Sequence, residues 1–376
     1  MGALTGARPT MALAGAALAL LGPAAGSAPG VVSDARVLDG PSADLVGEPH
    51  AAMSEDGTGG VVWLRRIGAR DHVFAARFED GVWEAPQRVD VGQDFDSSWP
   101  QIAAGDNGRL LVTWVQEYGV DSDRMYSATL DPGAGGFQAP VPVDFDLNEA
   151  TSTHPDLAMS RGGLAYLVYN VVTDTNPGNP PGYVGLDVRL ARYSNRLWSA
   201  VGSRLDRNSS VPMRLPTEEI APQVAISFEG QAVAAWVEPD DDFVDRVYAR
   251  RVFGGQTGIP LLASPTSFNG QPLRGGVSGL SLDVSGFGQA TVAFRQEPGQ
   301  TGALDGTRVM TSFMPETFVE GAGEFGPAQL ADGGARGAPG VPAVGSDPSG
   351  NFIAAFGAGT ATLLGRGDGF SISGVE

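Results

Sequence analysis

The amino-acid sequence predicts an all-β fold, a β-propeller of six four-stranded antiparallel blades in one domain. Three observations support this prediction: a motif that recurs six times, strand-like residues on both sides of a glycine within it, and two further strand-like segments before the next copy. The copies begin about 50 to 70 residues apart, a period that is typical of propellers and solenoid arrays.

The motif is a proline, seven residues, a glycine, five residues and an aromatic residue, as in PQVAISFEGQAVAAW from Pro222. All six copies keep this spacing, and only one lacks the proline, where Leu280 stands instead. The aromatic residues that end the copies are Trp63, Trp114, Tyr169, Trp236, Phe294 and Phe356. Neighbouring blades of a propeller pack against each other, so we expect these side chains to lie in the core rather than to form a ligand platform.

Each copy also has the residue pattern of two strands. Small apolar residues precede the glycine, and β-branched residues or alanine follow it, which indicates two buried strands joined by a tight turn with a positive φ angle at the glycine. The proline suits the start of the first strand, where a missing amide donor does least harm. A third strand is expected in segments such as HVFAARFE from His72, and a fourth in WEAPQRVD from Trp83. Four strands make one propeller blade.

The two ends of the chain carry separate expectations. Residues 1–28 combine Arg8, an apolar run and small residues, the order of a secretory signal peptide, with a membrane anchor as the alternative. The propeller domain then covers residues 29–376. The segment ARVLDG from Ala35 resembles a fourth strand without its first three, and the last copy has only a shortened fourth strand. We therefore predict that an N-terminal strand closes the last blade and removes a free sheet edge.

The composition narrows the range of partners and compartments. The chain has no cysteine, which excludes disulfides and thiolate metal sites. Its formal net charge is −19, and so acidic a surface disfavours nucleic acid and anionic membranes as partners, although the same charge can simply aid solubility. With the signal peptide, this predicts a secreted, extracellular monomer that is not inserted in a membrane after cleavage.

The phrase PQVAISFEGQAVAAW and the later WEAP and QAP segments resemble secreted bacterial β-propeller repeat proteins, most of them uncharacterised, and more loosely the six-bladed sialidase-like superfamily. The resemblance covers nearly the whole mature chain and implies a fold, because the motif itself carries no chemistry. Two features depart from sialidases. Gly57 and Trp63 are farther apart than the glycine and aromatic residue of the sialidase Asp-box, and no FRIP-like arginine motif precedes the first blade. The resemblance therefore transfers no catalytic residue.

A column of mostly polar residues directly follows the opening prolines of the six copies. Its members are His50, Gln101, Asp156, Gln223, Ser281 and Ala343. If the first strands line a central channel, these side chains surround its mouth, where they either hold water or bind a small polar ligand. The first four members of this column are our candidate ligand-binding residues.

Three arginines at the starts of third strands form a second candidate set: Arg124, Arg246 and Arg308. Converging guanidinium groups could clamp a carboxylate or sulfate ligand. The alternative is local pairing with the aspartates that precede them, Asp123, Asp245 and Asp305.

The histidine and carboxylate patterns bear on metals. With three histidines and no cysteine, no transition-metal site is expected. Calcium is possible at DFDLNE from Asp144 and at DDDFVD from Asp240, although neither stretch has the spacing of an EF-hand loop. No cofactor is assigned.

The sequence favours a non-enzymatic binding or interaction propeller with a face of acidic loops, whose ligand is a glycan or a cell-surface protein. The alternative is a sialidase-like glycoside-processing enzyme, which needs a carboxylate pair held on rigid strand ends. The candidates for that pair follow the aromatic residues of second strands: Glu117, Glu238 and Glu297.

Overall fold

The computed structural model describes residues 36–118, 122–144, 151–174, 178–207, 211–300, 302–315, 324–333, 338–358, 361–367 and 372–375. The chain divides into two compact units, Met1–Val37 and Leu38–Glu376, and every strand below belongs to the second. The predicted signal peptide, residues 1–28, lies outside the described residues. Within the described ranges, no helix has the length and apolar character that a membrane crossing requires.

The first three sheets follow one another along the chain. The first contains β1 (Leu45–Met53), β2 (Gly59–Ile67), β3 (Arg70–Glu79), β4 (Val82–Trp83) and β5 (Gln87–Arg88). The second contains β6 (Ser97–Gly105), β7 (Arg109–Glu117), β8 (Asp123–Leu130) and β9 (Val141–Pro142). The third contains β10 (Thr151–Met159), β11 (Ala165–Asp174), β12 (Tyr183–Ser194), β13 (Leu197–Ala200) and β14 (Met213–Arg214).

The remaining strands form three more sheets and a hairpin. The fourth sheet contains β15 (Gln223–Ile226), β16 (Ala232–Pro239), β17 (Asp245–Phe253), β18 (Gln256–Thr257) and β19 (Leu261–Leu262). A hairpin of β20 (Ser267–Phe268) and β21 (Gln271–Pro272) follows. The fifth sheet contains β22 (Val277–Val284), β23 (Ala290–Gln296), β24 (Arg308–Met314) and β25 (Gln329–Leu330). The sixth contains β26 (Ala343–Ser346), β27 (Phe352–Ala358), β28 (Ala361–Gly367) and β29 (Ile372–Val375).

Each of these six sheets is an antiparallel meander in which consecutive strands pair. In the first, third and fourth sheets, a fifth short strand also pairs with the third strand, as β5 does with β3. The prediction of an all-β fold made of several antiparallel sheets is confirmed.

Each of the six motif glycines lies in the turn between the first and second strands and has a positive φ angle: Gly57 (82°), Gly108 (71°), Gly163 (86°), Gly230 (87°), Gly288 (85°) and Gly350 (89°). A residue with a Cβ atom adopts this region only at a cost in free energy, which explains why the motif requires glycine here. The predicted strand, turn and strand are present in all six copies.

The six motif aromatic residues are all buried, as expected. Three of them also stack across the sheet on an aromatic residue of the third strand. These pairs, with their centroid distances, are Trp63 with Phe74 (6.3 Å), Trp114 with Tyr126 (6.2 Å) and Trp236 with Tyr248 (6.3 Å). Aromatic cross-strand pairs add to the area buried by each side chain, so the motif stabilises both the sheet and the core.

The apolar core lies between consecutive sheets. Pairs of side chains that share a buried cluster across two neighbouring sheets are Val62 with Trp114, Leu111 with Leu167, Val168 with Trp236, Val233 with Phe294, and Val309 with Phe356. The outer face of the sixth sheet differs, because Ile353 is 53% exposed whereas Leu111, at the matching position of the second sheet, is 0% exposed. Among the described residues, five faces between sheets are therefore covered and this sixth face is not.

The prediction that an N-terminal strand closes the last blade is wrong for the part of ARVLDG that the structure describes. Residues 36–40 form no strand. Instead, the Asp39 carboxylate accepts hydrogen bonds from Trp63 Nε1 (3.0 Å) and Arg65 Nη1 (3.2 Å), both on β2 of the first sheet. The sixth sheet takes its fourth strand, β29, from the C-terminal end of the chain.

Candidate functional site

Four column residues line one cavity of about 500 Å³, which we call the mouth cavity. They come from the first strands of four successive sheets: His50 from β1, Gln101 from β6, Asp156 from β10 and Gln223 from β15. The same four residues also line a second cavity of about 490 Å³, whose other lining residues lie farther along these strands and on β22. The structure thus brings these four candidates together, and ligand binding by them stays a prediction.

The column also links the sheets to one another. In the third, fourth and fifth sheets, the column side chain accepts a hydrogen bond from a backbone N–H group on the first strand of the next sheet. These bonds join Asp156 Oδ2 to Val224 N (2.7 Å), Gln223 Oε1 to Leu282 N (2.8 Å) and Ser281 Oγ to Val344 N (3.0 Å). In addition, Gln223 Nε2 donates to the Leu280 carbonyl (3.0 Å). The amide of Gln223 is therefore committed to the fold.

Gln101 departs from this pattern. Within the described residues its side chain forms no hydrogen bond, although it occupies the same position in the second sheet as Gln223 does in the fourth. A partly buried amide without a protein partner retains its capacity to donate and to accept. Gln101 is thus the column amide that a ligand can use.

Two aromatic rings stand beside Gln101 at the mouth cavity. Trp99 and His154 each precede an opening proline, and their ring centroids are 4.1 Å apart. Both have left-handed backbone angles, φ 51° for Trp99 and φ 48° for His154. The pairing register of β6 and β10 shifts at the same points, as expected for β-bulges, which redirect side chains. A non-glycine residue in this region costs about 1 to 3 kcal/mol, and such strain is common at functional sites.

Sequence reasoning missed Trp99 and His154, although a signal was present. At the position before the opening proline, the other four copies have Glu48, Ala221, Gly279 and Val341. Rings at this position in two adjacent copies break the internal repeat, and a comparison of the copies at this position would have found them.

The mouth cavity is acidic. Three acidic residues, Glu48, Asp156 and Glu218, line it, and none of its lining residues among those that the structure describes is an arginine. Burial lowers the pKa of His50, although the charges of Glu218 and Glu48 raise it, and burial also lowers the pKa of His154. Both imidazoles are therefore mostly neutral at pH 7, and the cavity has a negative potential.

Asp156 gives stability a specific pH dependence. Burial raises the pKa of Asp156 to about 6, although the backbone N–H groups of Val224 and Leu157 lower it. A carboxyl pKa that is higher in the folded state contributes stability below about pH 4, and this contribution is lost as the pH rises through about 6. Asp156→Asn keeps an oxygen that can accept from Val224 N and cannot ionise.

We therefore expect Asp156→Asn to match the wild type near pH 4 and to exceed its free energy of unfolding by up to about 3 kcal/mol above pH 6. Urea denaturation at several pH values between these limits measures the difference. A difference that does not change with pH would contradict this assignment.

Two of the three arginine candidates are paired with protein groups nearby. Arg246 is buried and donates to Asp240 Oδ2 (2.9 Å) and to two backbone carbonyls. Arg308 is also buried and donates to Asp332 and Asp305. Arg124 is half-buried, and its charge lowers the pKa of Asp144 against the larger raising effect of burial. The guanidinium groups of Arg246 and Arg308 are thus occupied by nearby carboxylates and carbonyls, which favours the alternative of local pairing, and ligand binding by the three arginines stays a prediction.

The three glutamate candidates for an enzyme have separate environments. Glu117 is exposed at the end of β7. Glu238 is fully buried and accepts hydrogen bonds from Trp236 Nε1 (2.9 Å) and Arg207 N (3.0 Å). Glu297 is half-buried and accepts from Ser278 and from Thr307 Oγ1 (2.6 Å). Glu117 and Glu238 lie on two different sheets, Glu297 directly follows β23 of a third, and none of them lines the mouth cavity.

The proposed calcium stretches differ in what the structure describes. In DDDFVD, the Asp240 carboxylate accepts from the Asp242 and Val244 N–H groups and from Arg246, so its oxygens are occupied. Of DFDLNE, only Asp144 lies within the described residues. Across the described ranges, no group of three or more histidine, aspartate or glutamate side chains is arranged to hold a metal ion.

No known protein family and no curated protein matches the sequence. Among solved structures, a protein of unknown function from Dyadobacter fermentans is 10% identical over 85% of this chain and 92% of its own, with a TM-score of 0.43. A Hadza microbial sialidase, Hz136, is 10% identical over 82% of this chain and 66% of its own (TM-score 0.40). An α-L-arabinanase of Penicillium chrysogenum is 12% identical over 74% of this chain and 81% of its own (TM-score 0.43). These likenesses leave the function of the chain open.

Proposed function

We propose that this chain is a secreted, non-enzymatic binding protein, a six-bladed propeller that takes a glycan or a cell-surface component into the mouth cavity. One observation carries the proposal: Trp99 and His154 replace the non-aromatic residues of the other four copies, Gln101 lacks the link to the next sheet that Gln223 forms, and all three residues line the same cavity. The other copies serve as an internal comparison, because they show which residues the fold alone requires. A half-buried tryptophan beside an uncommitted amide suits a polar ligand with an apolar face.

The arrangement of the sheets supports the six-bladed ring. Six meanders of similar size follow each other with apolar cores between successive members, and their first strands contact one another in chain order. Five of those first strands, β1, β6, β10, β15 and β22, supply the lining of one shared cavity. A ring of blades around a channel produces this arrangement.

The glycoside-processing alternative has less support. Such an enzyme needs two carboxyl groups at a defined separation across the substrate bond. Glu117 and Glu238 lie on separate sheets, and Glu297 directly follows a strand of a third. An anionic substrate would also need cationic partners, whereas the described lining of the mouth cavity includes no arginine. A binding protein needs only the shaped cavity.

Gln101→Ala should weaken binding of a glycan identified on an array by about five- to tenfold, since one lost hydrogen bond costs about 1 kcal/mol. The matched control is Gln271→Ala, which removes an exposed glutamine from β21 and should leave both affinity and stability unchanged. Gln223→Ala should instead lower stability, because it removes the link to Leu282 N and the Leu280 carbonyl. Equal affinity in the wild type and Gln101→Ala would place the binding site elsewhere, and release of free sugar would favour the enzyme.

A further inference from the structure

We infer that the mouth cavity selects a ligand that carries an ammonium group, such as a sugar with a free amine, over neutral and anionic analogues. This inference rests on the proposed function and specifies the chemistry of its ligand. It goes beyond a general affinity for glycans, because it predicts discrimination by charge at one position of the ligand.

The first argument is the placement of charge. Glu48 precedes the opening proline of the first sheet, Asp156 belongs to β10 of the third, and Glu218 lies in the segment before β15 of the fourth. Three separate parts of the chain thus place acidic residues around a single cavity of about 500 Å³, and one of these carboxylates, that of Asp156, also accepts from Val224 N (2.7 Å). None of the three forms an ion pair with an arginine within the described residues, whereas Asp332 and Asp90 elsewhere are paired in this way. A bound cation would supply the missing counter-charge.

The second argument is the aromatic surface. An indole ring attracts a cation to its face through its quadrupole, and this attraction grows as water is excluded. The half-buried indole of Trp99 lines the cavity and also packs against the buried cluster of the second and third sheets. Its aromatic partner within the described residues is His154, which is mostly neutral at pH 7. Carboxylates together with an indole favour an ammonium group, since both interactions are lost when the ligand is neutral.

The third argument is the amide of Gln101, which lines the same cavity and forms no hydrogen bond within the described residues. Its oxygen can accept from an ammonium or hydroxyl donor, and its nitrogen can donate to a hydroxyl oxygen. A ligand with an amine next to hydroxyl groups uses the carboxylates, the ring and the amide together. The cavity volume lies within the range of small-molecule sites and suits one or two sugar rings.

A set of matched probes tests the charge preference. Ligand-observed NMR titrations of the full chain at low ionic strength would compare glucosamine, glucose and glucuronic acid, which share a ring and differ in charge. We expect glucosamine to bind about tenfold or more tightly than glucose, glucuronic acid to bind least, and the preference to shrink as salt is added. Spermidine, an amine without a sugar ring, separates the two sources of an ammonium group: binding comparable to glucosamine would assign the selectivity to the amine alone, which supports the inference.

Variants separate the local carboxylates from the general field of a protein with a net charge of −19. Glu218→Gln should weaken glucosamine binding about fivefold and leave glucose binding unchanged. Glu55→Gln changes the net charge equally, at an exposed position in the turn after β1 that does not line the mouth cavity, and should have no effect. Equal losses in the two variants would contradict a specific site.

The inference and the proposed function can fail separately. If glucose and glucosamine bind equally and Gln101→Ala weakens both, the charge preference is wrong and the binding function stands. If none of the amine probes binds, the ammonium inference is wrong regardless of what the glycan array finds. If amines bind equally to the wild type, Gln101→Ala and Glu218→Gln, both assignments to this cavity are wrong.

Discussion

Asp332→Ala should lower the free energy of unfolding by about 3 to 5 kcal/mol, the largest loss we expect from a polar substitution in this protein. The Asp332 side chain is 3% exposed. Its oxygens accept from Arg308 Nε (2.6 Å) and Nη2 (2.5 Å), and Oδ2 also lies 3.3 Å from Val309 N. Removing this carboxylate leaves a buried guanidinium with one partner fewer on each of two nitrogens, and a backbone donor that loses its acceptor.

A matched control comes from the second partner of the same arginine. Asp305 accepts from Arg308 Nη1 (3.0 Å), but its side chain is 69% exposed. Water can replace such a partner, so Asp305→Ala should cost less than about 1 kcal/mol. Guanidinium denaturation of both variants gives the comparison. Equal losses would show that the burial of Asp332 does not determine the strength of the pair.

Asp332 belongs to a second repeated feature, a buried polar residue at the end of a sheet. The sequence analysis predicted the fourth strands in this part of the repeat but not this residue. At the end of five sheets, a buried polar residue follows a buried apolar residue that pairs with the third strand: Asp90, Asp144, Asp206, Ser264 and Asp332. In the last four, the side-chain oxygen also accepts from a backbone N–H group of the third strand. The fourth strands were predicted from WEAPQRVD and FQAPVPVD, but the role of the terminal acid was not.

The role of these acids was missed because it depends on contacts with the next sheet, which the residue pattern around each acid does not reveal. Asp90 and Asp144 also accept from Ser97 and Ser152, which begin or nearly begin the first strand of the next sheet. The distance along the chain between acid and serine differs between the two copies, so a fixed-spacing search does not align them. The motif glycines and aromatics, by contrast, have local causes, a positive φ angle and a cross-strand contact, and were predicted correctly.

In the candidate site, too, the features with a local cause were predicted and those that depend on contacts between sheets were not. The column of His50, Gln101, Asp156 and Gln223 was predicted to converge, because alternation along a strand and repetition across strands together determine which way a side chain points. The structure adds that Gln223 is committed to the next sheet while Gln101 is not. The two glutamines occupy the same position of the repeat, so the motif alone does not distinguish them. The N-terminal segment ARVLDG was predicted to be a strand because its residues resemble those of a fourth strand. Residues 36–40 nevertheless form no strand, because a strand-like residue pattern does not determine which segment pairs with which.

Glu238 offers the second large effect and a direct test of the enzyme alternative. Glu238→Ala should lower the free energy of unfolding by about 2 to 4 kcal/mol, because it removes the acceptor of Trp236 Nε1 (2.9 Å) and Arg207 N (3.0 Å) in a fully buried position. It also leaves the Arg207 guanidinium, 3.4 Å from Glu238 Oε1, without its counter-charge.

Glu238→Gln is the informative comparison, because the second sheet already has a glutamine, Gln116, at the matching position. There, Gln116 is equally buried and its Oε1 accepts from Trp114 Nε1 (3.1 Å), two residues earlier, as Glu238 does from Trp236. The amide keeps an acceptor for the indole and loses only the charge that faces Arg207, which is partly exposed to water. We therefore expect a loss of about 1 kcal/mol, well below that of the alanine variant, in denaturant titrations. If the two substitutions cost the same, the charge rather than the acceptor stabilises this position. A catalytic glutamate would give a different result, in which Glu238→Gln abolishes turnover of a sugar substrate while stability stays at the wild-type level.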